Sequence, residues 1–325
     1  MTASAALSSF RDEEPKISDF RTEALAGLRR QPRVLPCKFF YDETGSRLFE
    51  QITTLPEYYL TRTEEAILAD RAGEIAALAG PGCQVVEYGS GAIRKARILI
   101  EALDRPAGYV AVDISRDHLI QAAEALARDY PELEVHAVCT DYTTDFAVPD
   151  PRDRIAARRL GFFPGSTIGN FEPEAATEFL AAAARTLGRT GAMVIGTDLQ
   201  KDKEILEATY DDAAGVTAAF NLHLLERLNQ ELGGTFDLSL FRHVALYNEA
   251  DARIEMHIES LADQTVKVAG ERFAFAEGER IHTENSHKYT IEGFRALAAS
   301  AGFETKQTWT DEDGLFAIHY LAVAD

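Results

Sequence analysis

The sequence predicts an α/β protein: a doubly wound, mostly parallel sheet with its last strand reversed, joined to a second α+β domain. Three observations predict it. Five short apolar runs alternate with amphipathic helical patterns between residues 83 and 200. A last helix and two strands joined by the turn DEDG close the chain. From residue 201 to about 287 the alternation gives way to long helices mixed with strand-like runs. At 325 residues the chain also exceeds the usual size of one compact domain.

The elements follow in order. The polar start MTASAALSSFRDEEP is expected to fray, and it lacks the basic opening and long apolar run of a signal peptide. A helical pattern covers residues 19–28. Residues 35–64, LPCKFFYDETGSRLFEQITTLPEYYLTRTE, carry too many aromatics for a solvated linker, and their Pro and Gly break any single long helix. From Thr63, EEAILADRAGEIAALAG is an amphipathic helix with a glycine stop. Then come the strand CQVVEYGSG and helix RKARILIEAL, and the strand GYVAVDIS and helix RDHLIQAAEALARDY. LEVHAVCTDY is a third strand. ARRLGFFPGSTIGN is a fourth with its loop, followed by the helix PEAATEFLAAAARTL and the fifth strand GAMVIGTDL. Beyond residue 200 lie the helices DKEILEATYD and AAFNLHLLERLNQEL and the strand-like HVALYNE, ARIEMHIESLA and QTVKVAG. TIEGFRALAASAGF and the hairpin FETKQTWTDEDGLFAIHYLAVA finish the sheet domain. The expected division places residues 64–200 and 288–325 in the sheet domain, and residues 1–63 and 201–287 in the second.

Composition narrows the function. Lys plus Arg number 33 against 53 Asp plus Glu, a formal net charge of −20 that repels nucleic-acid phosphates and anionic membranes. Neither is expected as a partner. Cys37, Cys83 and Cys139 are odd in number and lack C-x-x-C spacing, so they read as small buried apolar residues rather than disulfides or zinc ligands. The eight histidines have no ligand spacing, and no metal is expected. No stretch has the length of a membrane span, so a cytoplasmic protein is expected.

In an open α/β sheet, ligands bind outside the carboxyl ends of the strands, where the winding direction changes. Glu87 precedes Gly89-Ser90-Gly91 at the end of the first strand, in the pattern E-x-G-x-G. Glycines there let backbone approach a ligand and adopt positive φ. Asp113 ends the second strand, where a carboxylate can accept both hydroxyls of a ribose. Asp141 and Tyr142 end the third, suited to an adenine amino group and ring. Each acid alone could equally be a helix cap or turn residue. Together they indicate an adenosine-bearing ligand. A dinucleotide oxidoreductase is the rival. Ala92, Ile93 and Arg94 stand where a pyrophosphate loop wants a third glycine, and the terminal hairpin belongs to the common methyltransferase layout. Both favour S-adenosylmethionine.

Several long motifs carry a family resemblance: residues 35–64, PGSTIGNF, GTDLQKD, YDDAAGVTAAFN, RIEMHIES and IHTENSHKY. From about residue 30 onward the chain resembles the histidine Nα-methyltransferases of ergothioneine biosynthesis. The resemblance implies a Rossmann-like methyltransferase domain with a substrate-binding domain, and trimethylation of the α-amino group of L-histidine to hercynine. It gives the catalytic part to Tyr41 and Asn170. Tyr58, Asn170 and Tyr210 are implied to hold the amino acid's carboxylate and amine, and Gly165 to bind the substrate. Glu284 and Ser286 are implied to read the imidazole, with Met256 lining that pocket. Gly89, Lys95, Asp113, Asp141 and Tyr142 fall at cofactor positions. The glycine loop departs from the family at SGAIRKAR, and Tyr88 and Tyr142 replace an expected aliphatic and an expected Phe. A monomer is expected.

The residue types suit the chemistry. The methyl donor is already activated, so the protein supplies alignment and desolvation. Tyr and Asn orient an amine without a competing charge, and the aromatic faces of Tyr41 and Tyr58 suit the cationic product, worth about 0.5–2 kcal/mol. Glu284 and Ser286 are two apart, hence on one face of a strand. Glu284 could instead cap a helix beginning near Thr290, and Phe39-Phe40 reads as core. A methyltransferase for another amine, or a non-catalytic binding domain, are the alternative functions.

Overall fold

The computed structural model describes residues 7–13, 19–90 and 93–324. Gly91 and Ala92 of the glycine turn, and most of the polar start, lie outside the described residues. The chain forms two compact units. Unit 1 comprises Met1–Ile17, Arg62–Leu199 and Tyr289–Asp325, and unit 2 comprises Ser18–Thr61 and Gln200–Lys288.

Unit 1 begins with β1 (Ser9–Asp12); unit 2 takes α1 (Phe20–Arg29), β2 (Arg33–Val34) and α2 (Glu43–Ile52). α3 (Leu60–Ala79) precedes the alternating part of unit 1, which holds β3 (Cys83–Tyr88), α4 (Arg94–Ala102), β4 (Gly108–Asp113) and α5 (Arg116–Asp129). It continues through β5 (Val135–Cys139), β6 (Arg158–Phe163), α6 (Pro173–Leu187) and β7 (Ala192–Asp198). Unit 2 resumes with α7 (Lys203–Tyr210), α8 (Val216–Leu232), β8 (Phe241–Asn248), β9 (Arg253–Ser260), β10 (Gln264–Val268), β11 (Glu271–Phe275) and β12 (Arg280–His287). α9 (Ile291–Ser300), β13 (Phe303–Thr310) and β14 (Phe316–Val323) complete unit 1.

The sheet of unit 1 runs β1-β5-β4-β3-β6-β7-β14-β13. Its strands are parallel except β14, which is antiparallel to both β7 and β13, as the terminal hairpin predicted. Every residue of β3 and β7 is buried, the signature of strands covered on both faces. Val86, Val110, Val138, Phe163, Phe179 and Phe294 share one core. Each such side chain contributes about 1.5–3 kcal/mol by leaving water. The winding reverses at β3, which has β4 on one side and β6 on the other. The crevice for a ligand therefore opens beyond Tyr88.

One expectation fails here. The polar start was expected to fray within the second domain, yet Ser9–Asp12 pairs with β5 as a parallel edge strand of unit 1. Its polarity fits an edge: Phe10 is exposed, and the Ser9 hydroxyl bonds His136 Nδ1 at 2.7 Å. Local composition does not report a pairing across more than a hundred residues.

Unit 2 is built on the sheet β2-β12-β9-β8, with the hairpin β10-β11 beside it. Ile254, Met256 and Ile258 of β9 are buried while Arg253, Glu255 and His257 are half-buried, the alternation of a two-faced strand. α8 and α2 pack together, and Phe220 of α8 stacks on Phe40 of the 3₁₀ turn before α2 at 4.4 Å. Asp42 caps α2 through the Gly45 N–H at 2.7 Å and bonds His223 Nε2 at 2.8 Å. No helix among the described residues is long and apolar enough to cross a membrane.

Candidate functional site

At the carboxyl ends of the strands of unit 1, β3 turns through Gly89 at φ +76°. A Cβ there would lie 3.8 Å from the Tyr142 ring and hydroxyl, so the bare backbone and this aromatic face each other. Ser90 is fully buried; its hydroxyl donates to Glu87 O and accepts the Val112 N–H, tying the turn to β4. Glu87 is buried as well and accepts from the Tyr109 hydroxyl; burial pushes its carboxyl up to about 8. Asp113 ends β4, and burial raises its carboxyl although the Ser115 N–H, at 2.8 Å, stabilises the charge. Asp141 follows β5 and accepts the Thr143 N–H and hydroxyl. Both acids thus brace the turns they begin, and they also stand at successive strand ends. Tyr142 packs edge-on to Tyr88 and Phe163.

The structure joins two predicted residues through one the sequence did not single out. Glu64 of α3 is 1 % exposed. It holds Lys95 Nζ at 2.5 Å and accepts the Gly165 N–H with both oxygens, at 2.8 and 3.0 Å. A Cβ on Gly196 would sit 2.1 Å from the same carboxylate and 2.9 Å from the Phe316 ring, so any larger residue on β7 would force Glu64 to shift. Glu64 was legible as an acid three and four residues before Ile67 and Leu68, on the apolar face of its helix. Gly165 (φ +81°) and Ser166 (φ 55°) form a left-handed pair after β6, and the Ser166 hydroxyl accepts the Asp198 N–H at 2.8 Å. The following 3₁₀ turn, Thr167–Asn170, presents Asn170 at the same end of the sheet.

Unit 2 gathers the remaining residues. Tyr41 is 41 % exposed, whereas Tyr58, Tyr210, Met256, Glu284 and Ser286 are buried. Tyr41 packs edge-on against Phe49 and Phe220, Phe49 against Tyr58, and Tyr58 against Tyr210, all within 6.4 Å between ring centres. Phe49 and Phe220 escaped the sequence reading because α2 and α8 are remote in the chain. Glu284 and Ser286 lie two apart on β12, and Met256 is the direct cross-strand partner of Glu284. The register shifts between His282 and Glu284. That irregularity matters: simple alternation from buried Ile281 would turn Thr283 inward and Glu284 away, yet both Thr283 and Glu284 are buried. Burial pushes the Glu284 carboxyl up to about 7, partly offset by Lys288. The helix cap suggested for Glu284 is made by Thr290, whose side chain accepts the Gly293 N–H.

Lys288 is the other residue the sequence reading passed over. It is 2 % exposed, and its ammonium donates to the Tyr210 hydroxyl and to Ser286 Oγ, each at 2.9 Å. It also lies 4.6 Å from the centre of the Tyr210 ring. Glu284 and Ser286 share one face of β12 and Lys288 follows just past its end, so the pattern E-x-S-x-K carried the signal. Several histidines serve as structural hydrogen-bonding groups, His243 to Tyr210 O and His319 to Thr197. Among the described residues no group of three or more His, Cys, Asp or Glu is placed to hold a metal ion.

Comparison with known proteins gives the family. A family profile described as "Histidine-specific methyltransferase, SAM-dependent" matches residues 20–323. The histidine N-alpha-methyltransferase of Mycolicibacterium smegmatis is 43 % identical over 304 residues, covering 92 % of this chain and 93 % of that one. That of Mycobacterium tuberculosis is 40 % identical over 307 residues, covering 93 % and 94 %. Ergothioneine biosynthesis protein 1 of Neurospora crassa is 33 % identical over 297 residues, covering 90 % of this chain and 33 % of that one.

Proposed function

The chain belongs to the family of histidine-specific, S-adenosylmethionine-dependent methyltransferases, and we infer from that premise how its residues divide the work. It transfers methyl groups from S-adenosylmethionine to the α-amino group of L-histidine, a step of ergothioneine biosynthesis. In our reading three transfers occur and hercynine is the product. The observation that carries the substrate assignment is the buried carboxylate–hydroxyl pair of Glu284 and Ser286, set on one face of β12 across from Met256.

Unit 1 fits S-adenosylmethionine. The backbone at Gly89 is open to close approach beside Tyr142, a ring suited to adenine, and the partly desolvated Asp113 carboxylate suits a ribose diol. Asp141 would meet the adenine amino group, and Lys95 the donor's carboxylate. Once bound, the sulfonium supplies an activated methyl group. Unit 2 would read the amino acid. Glu284 accepts an imidazole N–H, and Ser286 engages the other ring nitrogen. Tyr58 and Tyr210 hold the carboxylate and amine. Tyr41 directs the amine's lone pair, the part the resemblance also gives to Asn170. The rings of Tyr41 and Tyr58 favour the growing positive charge of the product. The same reading makes the enzyme a cytoplasmic monomer with no nucleic-acid or membrane partner, in keeping with its net charge of −20.

Mass spectrometry of the protein incubated with S-adenosylmethionine and each common amino acid tests this. Trimethylated histidine should be the main product. Glu284→Ala should lower kcat/KM for histidine at least about a hundredfold, roughly 2.7 kcal/mol. Combined with Met256→Val, tryptophan should lose less or gain, since no buried carboxylate would then be desolvated against it. An unchanged histidine-to-tryptophan ratio would move the assignment to another amine.

A further inference from the structure

Lys288, Tyr210 and Ser286 form a closed triangle. The ammonium lies 2.9 Å from each hydroxyl oxygen, and the two oxygens lie 2.8 Å apart. An ammonium has only protons to give, so both oxygens accept from it. One hydroxyl then donates to the other, and the second must direct its own proton to a third acceptor. Where Tyr210 donates to Ser286, Ser286 already accepts two bonds and can only donate outward. Glu284, on the same strand face, is the complementary case: as a carboxylate it can only accept.

We propose that Lys288 is a positioning residue for the amino-acid substrate: with Tyr210 donating to Ser286, it leaves Ser286 a proton donor that, beside the acceptor Glu284, selects a neutral imidazole. A neutral imidazole offers one N–H and one bare nitrogen, which match the acceptor and the donor. An imidazolium would set its second N–H against a donor, and a benzene or indole ring would leave the donor without an acceptor. A mismatch of this kind discriminates far more than a difference in size. The inference rests on the assignment of histidine as substrate and names the group that makes the pocket polar in the right sense.

The arrangement also bears on charge. The groups facing Glu284 are Lys288 just past the end of its strand, Cys37 from the turn after β2 and, through Ser286, the Tyr210 hydroxyl of α7; Met256 opposite carries no charge. Burial, and then Glu284 itself, push the Cys37 thiol up to about 12, so it stays neutral. Burial raises Glu284 and Lys288 alone draws it back. Without Lys288 the carboxyl should keep its proton to higher pH.

The test is Lys288→Met, assayed beside wild type for methylated histidine across pH, with calorimetric histidine binding to both. KM and the histidine dissociation constant should rise about tenfold, the loss of one hydrogen bond involving a charge, with a smaller change in kcat. The acid limb of kcat/KM should move to higher pH; comparing proteins on one substrate cancels the titration of histidine itself. In a Ser286→Ala background the same change should cost clearly less, because the hydroxyl it orients is gone. If Lys288→Met does not fold, Lys288→Gln is judged by the same readings. Equal histidine affinity and an unmoved acid limb would overturn the part given to Lys288. Failure of the wild type to methylate histidine would instead overturn the substrate assignment.

Discussion

Tyr88 ends β3 with its phenol 1 % exposed, among Tyr142, Phe163 and Phe179. Its hydroxyl has no hydrogen-bond partner among the described residues, and burial pushes its ionisation well above the ordinary phenol range. A buried polar group without a partner costs about 1–3 kcal/mol. The family resemblance leads us to expect an aliphatic residue at this position. Tyr88→Phe keeps the ring packing and removes the orphaned oxygen, so it should raise the thermal midpoint by roughly 2 °C or more. A lower midpoint would mean that the hydroxyl is satisfied, for instance by a trapped water, and that the residue was kept for that bond. Glu87 next to it illustrates the contrary case: its burial is partly offset by the Tyr109 hydroxyl, and it should not be replaced so freely.

Individual strands decide what their last residues can do. β3, β4 and β5 are parallel neighbours, so Gly89, Asp113 and Asp141 arrive at one edge although they are separated in the chain. Asp113 has two claims on it, the Ser115 N–H that starts the approach to α5 and the ribose we assign to it. Asp113→Ala should weaken S-adenosylmethionine binding by about 1.5–3 kcal/mol, the range for hydrogen bonds to a charged group. Calorimetric titration measures this, and a thermal melt of the unliganded variant separates the two claims. A turn role alone would lower the melt and leave affinity intact. On β12 the register shift brings the Glu284 carboxylate into the interior opposite Met256, on the same face as Ser286.

At the scale of the molecule, each unit is assembled from segments distant in the chain, unit 2 from Ser18–Thr61 and Gln200–Lys288. Neither half of the sequence could make its unit alone. The reaction this assembly supports starts from a carbon already bonded to a sulfonium, so it needs no Lewis acid. Turnover should therefore survive exhaustive dialysis against EDTA. Loss of activity on chelation, restored by a single divalent ion, would require a different account of the transfer.

The sequence by itself determined the alternating sheet, the reversed final strand and the residues at the strand ends, because each rests on local periodicity and on spacing between neighbouring elements. It also carried the motifs around Asn170, Tyr210 and Glu284, since those runs are long and unusual. Tertiary structure decided the rest. The pairing of Ser9–Asp12 with β5 was invisible, since a short polar edge strand has no pattern of its own until a partner supplies it. The seat of Lys95 and Gly165 on Glu64 depends on α3 meeting the ends of β6 and β7, with Gly196 leaving room. The aromatic row from Tyr41 to Tyr210 needs α2 and α8 packed together. The inward turn of Glu284 needs the irregularity in β12, because regular alternation would have placed it on the other face. Periodicity fixes which residues an element can bury; contacts between remote segments fix which of them meet.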